Sequence, residues 1–186
     1  HIAGRGVSSV SRPERTDYME VGATSSGINP AYIDATLYGT SSISWLNNSG
    51  NLRGWGCGLY HYISDTSQKT AEIEYLASKT NLWVGTFTEV AKYGQERDTV
   101  TLTMLTNHAD GVVFTLSDEM DDTLFDYPLT VKVKMHPGWL GVQATQSGAA
   151  IASEVVSYNG ALYALVQAVP DQGEVALTAD SAANFT

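Results

Sequence analysis

The chain has 186 residues, 43% hydrophobic and 16% charged, with 10 Lys and Arg against 20 Asp and Glu for a formal net charge of −10. Such a composition supports a packed core and excludes a disordered chain. An acidic surface without a basic stripe excludes nucleic acid as a partner.

No apolar run reaches the ~20 residues of a membrane-spanning helix. The opening His1-Ile2-Ala3-Gly4-Arg5-Gly6 lacks the charged leader and apolar core of an export signal, so an exported protein would already have lost that segment. The lone Cys57 excludes an internal disulfide framework and a multi-cysteine zinc site.

In chain order, Ser8 to Gly27 reads as coil. Asn29-Pro30 is a helix start, with Tyr32, Ile33 and Leu37 as its inner face. Asn47 to Gly50 is a loop. Trp55 to Ile63 is mostly apolar and aromatic and reads as a strand covered on both faces. Ser64-Asp65-Thr66-Ser67 then caps a helix whose inner face takes Ala71, Ile73, Tyr75, Leu76 and Ala77. Asn81 to Gly85 is a second short strand. Thr86 and Glu89 have capping-box spacing for a helix that carries Val90, Ala91 and Tyr93 and ends at Glu96-Arg97-Asp98. This strand–helix–strand–helix order predicts parallel pairing with the helices outside.

From Thr99 the pattern changes to period two. Seven short apolar runs begin at Thr99, Gly111, Leu129, Leu140, Ala150, Ala161 and Val175, with turn residues between them. Asn159-Gly160 between two such runs is a hairpin signal. The expected architecture is therefore an α/β region at 1–98, followed by an antiparallel, immunoglobulin-like β-sandwich at 99–186. Two or three βα units cannot close a barrel and leave a sheet edge open. Either another chain or a further segment completes the first region, or it is a small irregular α/β layer.

Gly54-Trp55 with Leu59-Tyr60-His61-Tyr62-Ile63, and then the run from Leu82 to Asp98, resemble the tail of the NodB-homology polysaccharide deacetylases. Arg5-Gly6-Val7-Ser8 is similar to the segment after that family's middle motifs. Leu124 to Val131 is similar to the sandwich that follows the catalytic domain in a bacterial subgroup. The resemblance implies a partial (β/α) barrel and a polysaccharide deacetylase acting outside the cell, either secreted or at the periplasm or cell surface. It also implies that zinc or another divalent metal is bound by a missing N-terminal half, with no metal ligands in this chain. The paired aspartates and H-x-x-x-H of the family are absent here. Tyr62 stands where the subgroup commonly has glycine.

On that resemblance His61 takes the place of the catalytic acid and Arg5 that of a residue orienting a carboxylate. Trp55, Tyr62 and Asp65 would line the polysaccharide. The plainer readings are a strand-end histidine bonded to a carbonyl, a surface arginine, a core tryptophan and a helix-capping aspartate. Trp45 is a further sugar-stacking candidate. Trp83, like Trp55, fits core packing, and Trp139, after Pro137-Gly138, is either the best exposed aromatic or a cap on one end of the sandwich. The acidic run Asp118 to Asp122 with Asp126 fails the calcium-loop spacing and reads as a solvated turn. Cys57 reads as an inert core thiol. Asn47-Asn48-Ser49 and Asn184-Phe185-Thr186 match the glycosylation sequon. The competing function is a non-catalytic extracellular module that binds carbohydrate or associates with its own copies.

Overall fold

A computed structural model describes residues 1–6, 11, 16–23, 29–30, 34, 54–79 and 82–180. The chain divides into two compact units, His1–Ala91 and Lys92–Thr186.

Among the described residues the first unit shows close backbone contacts and isolated bridges, not a ladder of strands. Gly4 and Gly6 donate to the carbonyls of Tyr18 and Val21 at 2.8 Å, and Val21 returns a bond to Gly4 at 2.9 Å. A Cβ on Gly4 would stand 2.7 Å from the Met19 carbonyl oxygen, so the approach requires glycine there. Val21 is fully buried beneath this crossing.

The strands expected at Trp55–Ile63 and before Gly85 do not form among the described residues. Trp55 makes an isolated antiparallel bridge to Ser11, and 82–85 is coil. Gly54, Gly56 and Gly58 weaken the first run as a strand. Tyr62 and Ile63 are 80% and 56% exposed, so the segment is not covered on both faces. A partial barrel is not shown.

Helix α1, Thr66–Ala77, begins at Asp65, whose Oδ1 accepts from the Ser67 and Gln68 backbone N–H groups at 2.9 and 3.3 Å. Its inner face differs from the expected one. Ala71, Ile73 and Ala77 are exposed, and Glu72 is buried. Lys69 at 2.8 Å, Gln68 at 3.2 Å and Tyr60 at 3.2 Å surround the Glu72 carboxylate, so the polar group enters with its partners. Around the helix start expected at Asn29-Pro30, Asn29 is described outside the helix and Pro30 and Asp34 as helical. Tyr32, Ile33, Leu37, Trp45 and the two sequons lie outside the described residues.

Helix α2, Phe87–Thr99, opens on the expected capping box. The Thr86 N–H donates to Glu89 Oε2 at 2.7 Å, and the Glu89 N–H donates to Thr86 Oγ1 at 3.3 Å. The helix runs on to Thr99, whose hydroxyl donates to the Gln95 carbonyl at 2.9 Å.

Among its described residues the second unit holds eight strands, all paired antiparallel: β1 Thr101–His108, β2 Gly111–Ser117, β3 Leu129–Lys134, β4 Gly141–Gln146, β5 Ala149–Ala150, β6 Ser153–Tyr158, β7 Ala161–Ala168 and β8 Glu174–Asp180. They form a five-stranded sheet, β1-β2-β8-β4-β5, and a three-stranded sheet, β3-β7-β6. Alternation sends Val112, Phe114 and Leu116, Val175 and Leu177, Val142 and Ala144 inward from the first sheet. Val155, Ala164, Val166 and Ala168 face them from the second, so the two sheets share one core.

Two polar groups are built into this core with their partners. Gln146 imitates a strand neighbour: its Nε2 donates to the Val169 carbonyl at 2.6 Å, and its Oε1 accepts from the Val169 N–H at 3.0 Å. Trp139, expected at the surface, is only 5% exposed, and its indole N–H donates to the Ala109 carbonyl at 2.6 Å. The indole stays inside because both its apolar rings and its one donor are satisfied there. Trp83, expected in the core, is 47% exposed. The segment 82–85 that carries it is coil and not a buried strand.

Candidate functional site

The residues singled out from sequence do not assemble into a catalytic cluster. His61 is exposed at a bend, outside any strand. Arg5 is exposed and donates to the Gly6 carbonyl at 3.0 Å. Trp55 is half-buried, with its ring tilted against Phe87 at 5.0 Å. Tyr62 projects into solvent. Asp65 is the α1 cap, and hydrogen bonds from the Ser67 hydroxyl and then the Gln68 and Ser67 N–H groups hold its carboxyl below the usual range. No hydrogen bond or ion pair joins these five to one another. Burial pushes the half-buried Cys57 thiol up, which keeps it protonated and unreactive.

The acidic loop also resolves into turn chemistry. Asp118, Asp122 and Asp171 bring carboxylate oxygens within 4.8 Å of one another. Asp171 accepts from the Asp118 N–H at 3.0 Å, Asp118 from the Met120 N–H at 2.8 Å, and Asp121 from the Thr123 N–H at 3.0 Å. These are the bonds of a folded loop facing water.

The outer face of the three-stranded sheet has a different character. Pairing aligns Thr130 with Gln167, Lys132 with Leu165 and Glu154, and Lys134 with Tyr163 and Val156, while Tyr158 faces Ala161 across the hairpin end. Lys132 reaches diagonally, placing Nζ 3.9 Å from the Tyr158 ring centroid and 4.1 Å from that of Tyr163. The two rings stand edge to face, with centroids 6.3 Å apart. Tyr158 keeps 52% of its surface in solvent. At the far end Gln167 Nε2 donates to Thr130 Oγ1 at 2.9 Å.

Lys132 and Lys134 are the only Lys or Arg that follow Asp98 in the sequence. Neither forms an ion pair among the described residues, whereas Lys92 and Arg97 stand against Asp126 and Asp98. One exposed and one half-buried tyrosine ring, paired amide and hydroxyl groups and ammonium groups on one sheet face suit a ligand with both apolar and polar surfaces. Sequence reading passed over these residues. The signal present was the Lys-x-Lys spacing inside an alternating strand.

No family model matches the chain, and no solved structure matches it. The chain is similar to a gellan lyase from a Bacillus species, with 35% identity over 144 residues, 70% of this chain. It spans 6% of that relative's length. The similarity overturns the expectation of a deacetylase function: a lyase breaks bonds by elimination, whereas a deacetylase hydrolyses an acetyl group. Among the described residues no helix is long and apolar enough to cross a membrane.

Proposed function

We propose that this chain is a non-catalytic, carbohydrate-binding segment of a larger polysaccharide-acting protein, and that it binds through the outer face of sheet β3-β7-β6. The observation that carries the reading is the Lys132–Tyr158–Tyr163 cluster on the outer sheet face, with Lys132 and Tyr158 exposed, Tyr163 half-buried, and the three packed on one another. Sugar rings present apolar C–H faces to aromatic side chains and hydroxyls to polar ones, and this face offers both. The similarity to a gellan lyase supports a polysaccharide as the partner, and the small share of that relative covered supports an accessory part. A polysaccharide of this kind is met outside the cell, and the proposal places the segment there.

The test is a binding and cleavage pair on the full chain. Gellan is offered in affinity electrophoresis and in calorimetry, and the same mixtures are followed for loss of viscosity. The expected result is retardation and binding heat without loss of viscosity, both weakened at least several-fold by Tyr158→Ala. Depolymerisation by the chain alone, or binding untouched by Tyr158→Ala and Tyr163→Ala together, overturns the reading.

A further inference from the structure

We infer that the ligand of the β3-β7-β6 face is an acidic polysaccharide, one carrying carboxylate groups, and that Lys132 and Lys134 select it. This deepens the carbohydrate-binding reading above and rests on it.

The chain is strongly acidic overall, yet all the Lys and Arg side chains beyond Asp98 are gathered on one strand and point to one side of one sheet. Alternation requires the shared side: Lys132 and Lys134 are two residues apart in β3, with Val131 and Val133 turned to the core between them. Their Cα atoms are therefore roughly 7 Å apart along the strand. Glu154 is the one strand carboxylate on this face. Glu174 and Asp180 belong to β8 in the other sheet.

The state of the two ammonium groups gives the second step. Lys132 rests against two tyrosine rings, and neither lysine is within 4.0 Å of a carboxylate among the described residues. A neutral sugar seated over them would strip water from both cations and return hydrogen bonds to uncharged hydroxyls, leaving the positive charges without a counter-charge. A carboxylate on the sugar supplies that counter-charge and accepts N⁺–H···O⁻ bonds, in which both partners are ionised. The rings take the C–H face of the same unit. Acidic residues elsewhere on the molecule do not cancel the local attraction, because at physiological salt exposed charges are screened beyond about 8 Å.

The test uses the full chain with polygalacturonate and alginate, each compared with its carboxyl-reduced, neutral form, and with gellan in the same series. Supporting results are binding of an acidic polymer that is weakened at least tenfold by carboxyl reduction. Lys132→Gln with Lys134→Gln should have the same effect, and Lys132→Arg with Lys134→Arg should restore binding. Affinity should also fall roughly five- to tenfold between about 50 and about 500 mM salt. Circular dichroism and thermal melting of the Gln variant keep lost binding separate from lost folding. Equal binding of acidic and reduced polymers, or binding indifferent to both lysines, overturns this inference and leaves the carbohydrate-binding reading standing. Absence of binding to every polymer, gellan included, overturns the carbohydrate-binding reading itself.

Discussion

Glu96, on the last turns of α2, holds the backbone N–H of Tyr127 between its two carboxylate oxygens, at 2.9 and 3.2 Å, with no exposed surface of its own. The contact fixes the loop that leads into β3. It also places an acid where ionisation is unfavourable: burial first, then Asp118 and Asp126, raise its pKa to about 7 against the bond from Tyr127 and the nearby Lys92.

A stability change with pH follows from that shift. The folded state holds the Glu96 proton more tightly than the unfolded chain, whose carboxyl titrates near 4.5. The contribution is therefore complete below about pH 4.5 and is lost as pH rises through about 7. Melting temperatures measured at pH 5 and pH 8 should be higher at pH 5 for this group's part. Glu96→Gln, which keeps an acceptor and removes the charge, should flatten the difference and raise the melting point at pH 8. An unchanged pH slope in Glu96→Gln counts against the assignment.

Gln146 makes a second sharp case. Gln146→Leu leaves the Val169 N–H and C=O without partners in the interior and should cost about 2–4 kcal/mol in urea unfolding. Gln146→Glu keeps the acceptor for the Val169 N–H but turns a carboxylate oxygen toward the Val169 carbonyl. That variant should be weak at neutral pH and recover part of its stability in acid, where a protonated oxygen can donate again.

Trp139 should respond as a core residue and not as a sugar platform. Trp139→Phe removes the donor to Ala109 and should cost about 1–2 kcal/mol, and Trp139→Ala about 3–5 kcal/mol. Gellan binding by Trp139→Phe, measured well below its melting point, should match that of the parent. A selective loss of binding with stability intact would assign Trp139 to the ligand instead.

The turn that presents Tyr158 depends on left-handed backbone. Asn159 and Gly160 have φ of 50° and 76°, the two-residue turn that the β6–β7 hairpin requires. Gly160→Ala should lower stability by about 1 kcal/mol, and Asn159→Gly should be nearly silent. A hairpin loosened in this way should also weaken binding through Tyr158.

Local rules were readable in the amino-acid order and long-range ones were not. Asn159-Gly160, the Thr86–Glu89 capping box and the Asp65 cap each involve residues within a few positions, and each formed as expected. Most of the alternating runs after Thr99 became antiparallel strands with one face buried, but β1 pairs with β2 while all eight of its residues stay exposed. Trp55 to Ile63 misled because an apolar, aromatic run does not reveal whether a second layer will cover it. Trp83 and Trp139 exchanged expected places for the same reason. The Lys132–Tyr158–Tyr163 cluster depends on the register of three strands, with some thirty residues between Lys132 and Tyr163, so no short motif announces it.

The order β1-β2-β8 also has a mechanical meaning. Two successive antiparallel pairings make β1 and β8 run in the same direction, so the chain enters the sandwich at the Thr101 pole and leaves at the Asp180 pole. Tension applied along the polypeptide pulls these strands in opposite senses past β2. Their hydrogen bonds are then loaded side by side in shear, where a hairpin pulled from one end would open bond by bond. The parallel run of β1 and β8 on either side of β2 thereby braces the sandwich against stretching along the chain.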